Sequence, residues 1–313
     1  MSNLRQELVR YLTIRRSLGY DLGTAERILK RFIAFAEAEG VEHVSADLFL
    51  RWQAAFGNAN RQTWAGRFVV VRRFAEWLHG LDPSHEIIPL GLIPFRAKRS
   101  RPYIYSDAEI ARIIDVAAEL PSTYGLRAST FSTLFGLLAV TGLRINESLA
   151  LNTDDLDADN AVLTVRCGKL GRARLLPLDA SVVEHLTLYI TERDRVLGKA
   201  QQALFVQESG ERISDCSARY NFASVSQRIG LRAPERFGRH GRGPRIHDLR
   251  HSFAARTIIG WYRAGKDAGR EMIKLSTYLG HGGPDATYWY LEAVPELLEF
   301  AAARVAGPTP GEG

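Results

Sequence analysis

Apolar residues return every three or four positions through most of this 313-residue chain, a spacing that favours amphipathic helices over strands. Leu4, Leu8, Tyr11 and Leu12 share one helical face, and Ser17-Leu-Gly19-Tyr20 supplies a stop. Ile28, Phe32, Phe35 and Ala36 carry the spacing into a second helix ending near Gly40. Ser45 is an N-cap candidate for a third, and Trp64, Phe68, Val71, Phe74, Ala75 and Leu78 stripe a fourth. The pattern breaks at Arg96-Ala-Lys-Arg-Ser-Arg-Pro102, which is basic, contains proline and lacks periodicity, as an exposed linker does. The expected organisation is a helical domain over residues 1–97, a linker over 98–104, a second domain over 105–304 and a flexible tail over 305–313.

The second domain opens on a capping box, Ser106-Asp-Ala-Glu109, ahead of Ile110, Ile113 and Ile114. A long apolar helix from about Ala128 to Val140 ends at Thr141-Gly142. Two strand candidates follow, Ala161–Val165 and Ala173–Leu178, joined through Cys167-Gly-Lys-Leu-Gly171 as a hairpin. Helical patterns then resume to Arg304. The fold class is therefore mainly α with a small antiparallel β-sheet.

No apolar run approaches the roughly 18 residues of a membrane span, and the first twenty residues carry Arg5, Arg10, Arg15 and Arg16 without an apolar signal core. Cys167 and Cys216 are too few for a disulfide framework, so a reducing cytoplasm and no membrane are expected. The net charge is +6, from 41 Lys and Arg against 35 Asp and Glu. All of that excess lies in residues 1–104, which hold 16 cations and 10 anions; the remainder carries 25 of each. Arginine supplies 35 of the 41 cations, and its planar fork matches phosphate better than the point charge of lysine. A basic module beside a neutral one points to a polyanion, with nucleic acid the first candidate.

Neither G-x-x-x-x-G-K-S/T nor G-x-G-x-x-G occurs, so no nucleotide loop is indicated. His85-Glu86 runs into Ile-Ile-Pro, not into a second histidine, so the zinc-protease helix is missing too. Asp155-Leu-Asp157-Ala-Asp159 has the acids of a calcium loop, but Asn160 replaces the turn glycine and Arg166 the bidentate glutamate; a solvated acidic loop is expected. In Ile246-His247-Asp-Leu-Arg250-His251, His247 and Arg250 lie three apart on one helical face. They offer a titratable donor and a permanent forked cation, as a phosphate requires. The same stretch also fits a capped, salt-bridged helix, and His247 with His251 has the spacing of a metal pair, though no acidic cluster adjoins it. Three further segments join it: Thr141-Gly142-Leu143-Arg144-Ile-Asn-Glu147, Leu279-Gly280-His281, and Tyr290, nine positions beyond that histidine within Thr287-Tyr-Trp-Tyr-Leu291.

An arginine after T-G-x, an H-x-x-R, an L-G-H and a tyrosine nine positions on, in this order, resemble the tyrosine recombinases or phage-type integrases. The Thr-Tyr-Trp-Tyr-Leu-x-Ala-Val-Pro-Glu ending is most similar to a transposon-encoded branch. The resemblance implies a helical core-DNA-binding (SAM-like) domain ahead of an α+β catalytic domain, acting on double-stranded DNA by site-specific recombination. In such enzymes a tyrosine hydroxyl attacks a phosphodiester, forms a 3′-phosphotyrosine and expels a 5′-hydroxyl. The covalent link conserves the bond energy, so no ATP is implied; two arginines fill the role a metal has in other nucleases, so no metal or other cofactor is implied either. Carried over, Tyr290 is the nucleophile, while Arg144 and Arg250 hold the equatorial oxygens. His247 and His281 add donors and shuttle a proton near neutral pH. Lys169, from the hairpin turn, is the general acid.

Several positions around this pattern carry readings of their own. Leu170 follows the lysine where the family often has glycine, and Arg172 and Arg174 lie close enough to compete for phosphate. Glu147 is expected to hold the Arg144 region structurally. Tyr288 is a decoy for Tyr290, turned by about 200° on a helix. Gly282-Gly-Pro284 replaces the usual polar residues, and the Gly260–Gly269 segment looks longer than in many members of the family, which leaves the loop geometry there open. Arg232–Arg245 reads equally as a basic loop approaching DNA or as a solvated one. By resemblance, Pro295–Arg304 forms a helix packing on a neighbouring protomer, four protomers act on two DNA sites, and the protein is nucleoid-associated when DNA-bound. Three rival readings are a type IB topoisomerase, a DNA-binding regulator on a degenerate scaffold, and a metal-dependent nuclease using His247 and His251.

Overall fold

The computed structural model describes residues 4–57, 59–94, 101–166, 173–233, 243–280, 290 and 297. They belong to two compact units, Met1–Ser100 and Arg101–Gly313. In the first, four helices surround one core: α1 (Leu4–Ser17), α2 (Gly23–Ala38), α3 (Ala46–Ala55) and α4 (Arg61–His79). Ser45 caps α3 by accepting the Leu48 N–H at 3.1 Å, and Asn60 caps α4 by accepting that of Thr63 at 2.8 Å. The buried face of α2 is Leu29, Phe32, Ile33 and Ala36, while Ile28 and Phe35 sit half-buried at its margin. The spacing is the anticipated one, rotated by one residue, because apolar residues at 28 and 29 leave the centre of the stripe undetermined. Phe49 meets Trp52, Trp64 and Phe68 edge to face in the core. His85, just beyond α4, is buried and accepts the Val44 N–H on Nδ1 at 3.0 Å.

The second unit runs α5 (Asp107–Ala118), α6 (Leu126–Thr141), α7 (Ile145–Ala150), a 3-10 turn (Thr153–Asp155), β1 (Leu156–Asp157), β2 (Val162–Val165), β3 (Arg174–Pro177), α8 (Ala180–Leu197), α9 (Asp215–Arg228), α10 (Asp248–Arg263) and α11 (Ala268–Leu279). The capping box at Ser106 and Glu109 opens α5. Helix α6 is apolar on nearly every side because α5, α8 and α10 all pack against it. The antiparallel sheet has the order β1-β2-β3, with Leu163 opposite Leu176 in the hairpin. Residues 167–172 of the turn, Lys169 and Arg172 among them, lie outside the described residues.

Three expectations are corrected or completed here. The acidic stretch is not a solvated loop throughout: Asp155 is buried, accepts the Asn152 N–H and binds Arg166, and Leu156–Asp157 pairs with β2. Arg166, which disqualified a calcium loop, is thus the counterion of its first carboxylate. The Gly260–Gly269 segment is mostly helix: α10 continues to Arg263 and α11 starts at Ala268 behind an Asp267 cap, leaving a connection of four residues. Arg232 is buried and donates from Nε to the Pro244 carbonyl at 2.7 Å, so this end of the Arg232–Arg245 segment is pinned; residues 234–242 lie outside the described set. Tyr103 donates to Glu109 of α5 at 2.5 Å and Ile104 packs against the α10–α11 cluster, so both belong to the second unit. No helix among the described residues is long and apolar enough to cross a membrane.

Candidate active site

The site is built where α6 and α11 end. Both stop on a glycine in the left-handed region, Gly142 at φ 62° and Gly280 at φ 66°, where a Cβ is disfavoured. Close packing adds a second requirement. A Cβ on Gly142 would lie 2.5 Å from Cδ1 of Phe253, and one on Gly280 would lie 3.0 Å from Nη1 of Arg174. The last carbonyls of a helix lack intrahelical donors and form its negative pole. At α11 they are claimed by arginines from three other places in the chain. Arg174 Nε donates to the Tyr278 carbonyl at 2.9 Å and Arg250 Nη2 to that of Leu279 at 2.7 Å. Arg144 Nη2 donates to the Gly280 carbonyl at 3.0 Å, with Nη1 3.4 Å from that of Leu279. Arg250 Nη1 donates to the Gly142 carbonyl at 2.7 Å, joining the two helix ends.

Glu147 is the carboxylate beneath this group. It is buried, takes both Nη atoms of Arg174 at 3.0 and 2.8 Å, and accepts Arg144 Nη1 and the Arg144 backbone N–H at 2.9 Å each. Burial pushes its carboxyl up, but Arg174 and Arg144 outweigh that and hold it below the usual carboxylate range. Glu147 and the end of α11 thus engage every nitrogen of the Arg174 fork. Arg144 keeps a side chain 40% exposed beside this pair. Arg250 differs: it is only 2% exposed, and no described carboxylate forms an ion pair with it. Burial, then the charge of Arg144, pushes it down to about 10, which leaves it a cation at neutral pH. Its guanidinium is held by two carbonyls, and the charge of Glu147 reaches it without an ion pair.

His247 stands at the N-terminus of α10, one turn before Arg250. Burial, followed by the charges of Arg250, Arg245, Arg144 and Arg219, pushes it down to about 4. That shift favours the neutral imidazole, which offers one N–H, in the absence of an anion to offset the surrounding guanidiniums. Its ring meets that of His251 edge to face, centroids 4.8 Å apart. His251 does not turn toward a shared metal position but toward Tyr290, whose hydroxyl lies 3.1 Å from Nδ1. Tyr290 is 2% exposed and packed in the cluster that α10 and α11 form with Leu297. Among the described residues no three His, Cys, Asp or Glu side chains form a metal-holding group. Arg144, His247, Arg250 and Tyr290 thus surround one locus, and Arg174 and His251 join it without having been anticipated in those roles. His281 and Tyr288 lie outside the described residues, as does Pro295–Arg304 apart from Leu297.

The phage integrase family model matches residues 105–294. A Sinorhizobium fredii protein named as an integrase/recombinase, y4rB, is 41% identical over 97% of this chain and 98% of its own length. Tyrosine recombinase XerC of Pelobacter propionicus is 26% identical over 100% of this chain and 99% of its own. Among solved structures, the Tn1549 transposon integrase in complex with transposon right end DNA superposes with a TM-score of 0.61 at 16% identity, over 97% of this chain and 100% of that one. XerH site-specific recombinase bound to difH substrate gives 0.61 at 17% identity, over 90% of this chain and 79% of that one. These likenesses agree with a mainly helical fold carrying a small antiparallel sheet, and the chain belongs to the phage integrase family, the tyrosine recombinases.

Proposed function

We propose that the chain is a site-specific recombinase that cleaves and rejoins double-stranded DNA through a 3′-phosphotyrosine, without metal or ATP. The observation that carries this reading is Arg250, a buried cation beside Arg144 and Tyr290 with no described carboxylate partner. A phosphodiester entering there is held by both guanidiniums, whose donors strengthen as charge builds on the equatorial oxygens. The Tyr290 Oη–P bond forms as the P–O5′ bond breaks. Lys169 of the hairpin turn protonates the departing 5′-oxygen, while His247 and His281 donate to the phosphate. The reverse attack by a 5′-hydroxyl rejoins the strand with no external energy source.

The basic first unit, residues 1–97, is assigned to gripping the DNA backbone, and residues 105–304 to the chemistry. A cleft of about 160 Å³ in the first unit is lined by Arg27 and Arg31 of α2 and Arg67 of α4, with Trp52 at its wall. Arg67 lies 4.4 Å over the Trp64 ring, which presents its charge in a fixed place. The solved relatives named above were captured on DNA, which favours the same ligand class here. Four protomers on two sites, each lending its C-terminal segment to a neighbour, complete the proposal.

The test is covalent capture. The protein is incubated with nicked duplexes, its site first being selected from a random pool, and resolved on a denaturing gel. A protein–DNA adduct is expected, lost in Tyr290→Phe and kept in Tyr288→Phe. An adduct that survives Tyr290→Phe refutes the assignment.

A further inference from the structure

The contact between His251 and Tyr290 assigns a role to a residue outside the motif set. Thirty-nine positions separate the two, yet His251 Nδ1 lies 3.1 Å from the Tyr290 hydroxyl. The rings stand edge on, centroids 5.5 Å apart, so the nitrogen approaches the hydroxyl and not the ring face. Two restraints hold this arrangement. His251 belongs to the second turn of α10, with the His247 ring braced against its own at 4.8 Å. Tyr290 is buried in the apolar cluster of Ala254, Ala255, Ile258, Met272, Leu275 and Leu279. A phenol must lose its proton to become a nucleophile, and a base in hydrogen-bond reach of that proton is the geometric requirement for general-base catalysis.

We propose that His251 is the general base for Tyr290, an inference that rests on Tyr290 being the nucleophile. With its own proton on Nε2, the imidazole accepts the phenolic hydrogen on Nδ1. As Tyr290 Oη bonds to phosphorus, that proton passes to Nδ1 and the 5′-oxygen leaves with a proton from the acid on the opposite side. One proton is taken up and one released, and the imidazolium returns its proton to Oη when the strand is rejoined. His251 therefore touches a reacting atom and is a catalytic residue, whereas the His247 ring is packed edge to face against that of His251.

The experiment pairs a substitution with a more acidic nucleophile. His251→Asn keeps a hydrogen-bond acceptor near the Nδ1 position but cannot take up the proton. On the captured nicked duplex, His251→Asn is expected to slow adduct formation about 100-fold, within the usual 10²–10⁴ range for a general base, with DNA binding unchanged. Replacing Tyr290 by 3,5-difluorotyrosine, whose phenol ionises far more readily, is expected to shrink that loss to roughly threefold, because little is left for a base to do. His251→Gln serves as a second variant should His251→Asn unfold. An equal loss with both phenols overturns the proposal and reduces His251 to a packing residue, and an undiminished rate with tyrosine overturns it as well. Survival of the adduct in Tyr290→Phe is a different failure: the nucleophile assignment falls, and His251 with it.

Discussion

Substituting Gly280 by alanine tests whether the end of α11 organises the arginines. The backbone there is left-handed at φ 66°, which costs an L-residue about 1–2 kcal/mol. The added methyl would also sit 3.0 Å from Nη1 and 3.3 Å from Cζ of Arg174, and 3.6 Å from Nη1 of Arg144. Gly265 provides the matched control: its φ is 65° and a Cβ there meets nothing within 4 Å. Both variants therefore carry the same backbone penalty, which for a unit of this size lowers the melting temperature by about 2–8 °C. Gly280→Ala alone displaces guanidiniums, and a shift of about 1 Å in groups that position a reacting phosphate costs on the order of 100-fold in rate. Melting followed by circular dichroism and single-turnover adduct formation separate the two effects. Gly280→Ala is expected to melt like Gly265→Ala but to form adduct about 100 times more slowly. If the two variants cleave at the same rate, the close packing of arginines on Gly280 has no part in the site.

Two further perturbations follow from buried charge. Glu147→Gln leaves the Arg174 and Arg144 guanidiniums without their carboxylate and is expected to destabilise the second unit by about 3–5 kcal/mol, read by urea unfolding; a loss below about 1 kcal/mol refutes the pairing. Because Glu147 is held below the usual carboxylate range, its contribution is present at neutral pH and disappears as pH falls from about 4.3 through the lower folded value. His85 titrates in the same sense: burial lowers its pKa, so its contribution to the first unit is full above about pH 6.5 and is lost as pH falls below that. Unfolding at pH 7 and pH 5 is expected to differ less in His85→Gln than in the parent; an identical difference refutes the assignment.

Much of the scaffold was legible in the sequence because it depends on neighbours close along the chain. The stripes of α1 and α4, the capping box at Ser106 and the hairpin strands follow from local spacing and turn chemistry. Strand β1 was not legible, since two residues inside an acidic run become a strand only by pairing with β2. The site divides in the same way. Gly142 and Gly280 marked the helix ends, and the motif order picked out Arg144, His247, Arg250 and Tyr290. Nothing local joins Arg174 to Glu147, 27 positions apart, or His251 to Tyr290, 39 apart. Those pairs exist because β3 and α10 converge on the end of α11, a fact of packing and not of spacing. Burial was not legible either: it and the neighbouring arginines push the His247 pKa down, which no local spacing announces.

The carbonyls of Tyr278, Leu279 and Gly280 come later in the chain than every arginine they hold, Arg144, Arg174 and Arg250. A protein leaves the ribosome amino end first, at about 5–20 residues per second, so the guanidiniums emerge before their anchors have been made. A nascent or prematurely terminated chain ending before position 278 has Glu147 and the Gly142 carbonyl to hold these cations but not the end of α11, and Tyr290 has yet to be added. On the reading proposed above, the cutting apparatus would become whole only when translation is nearly finished.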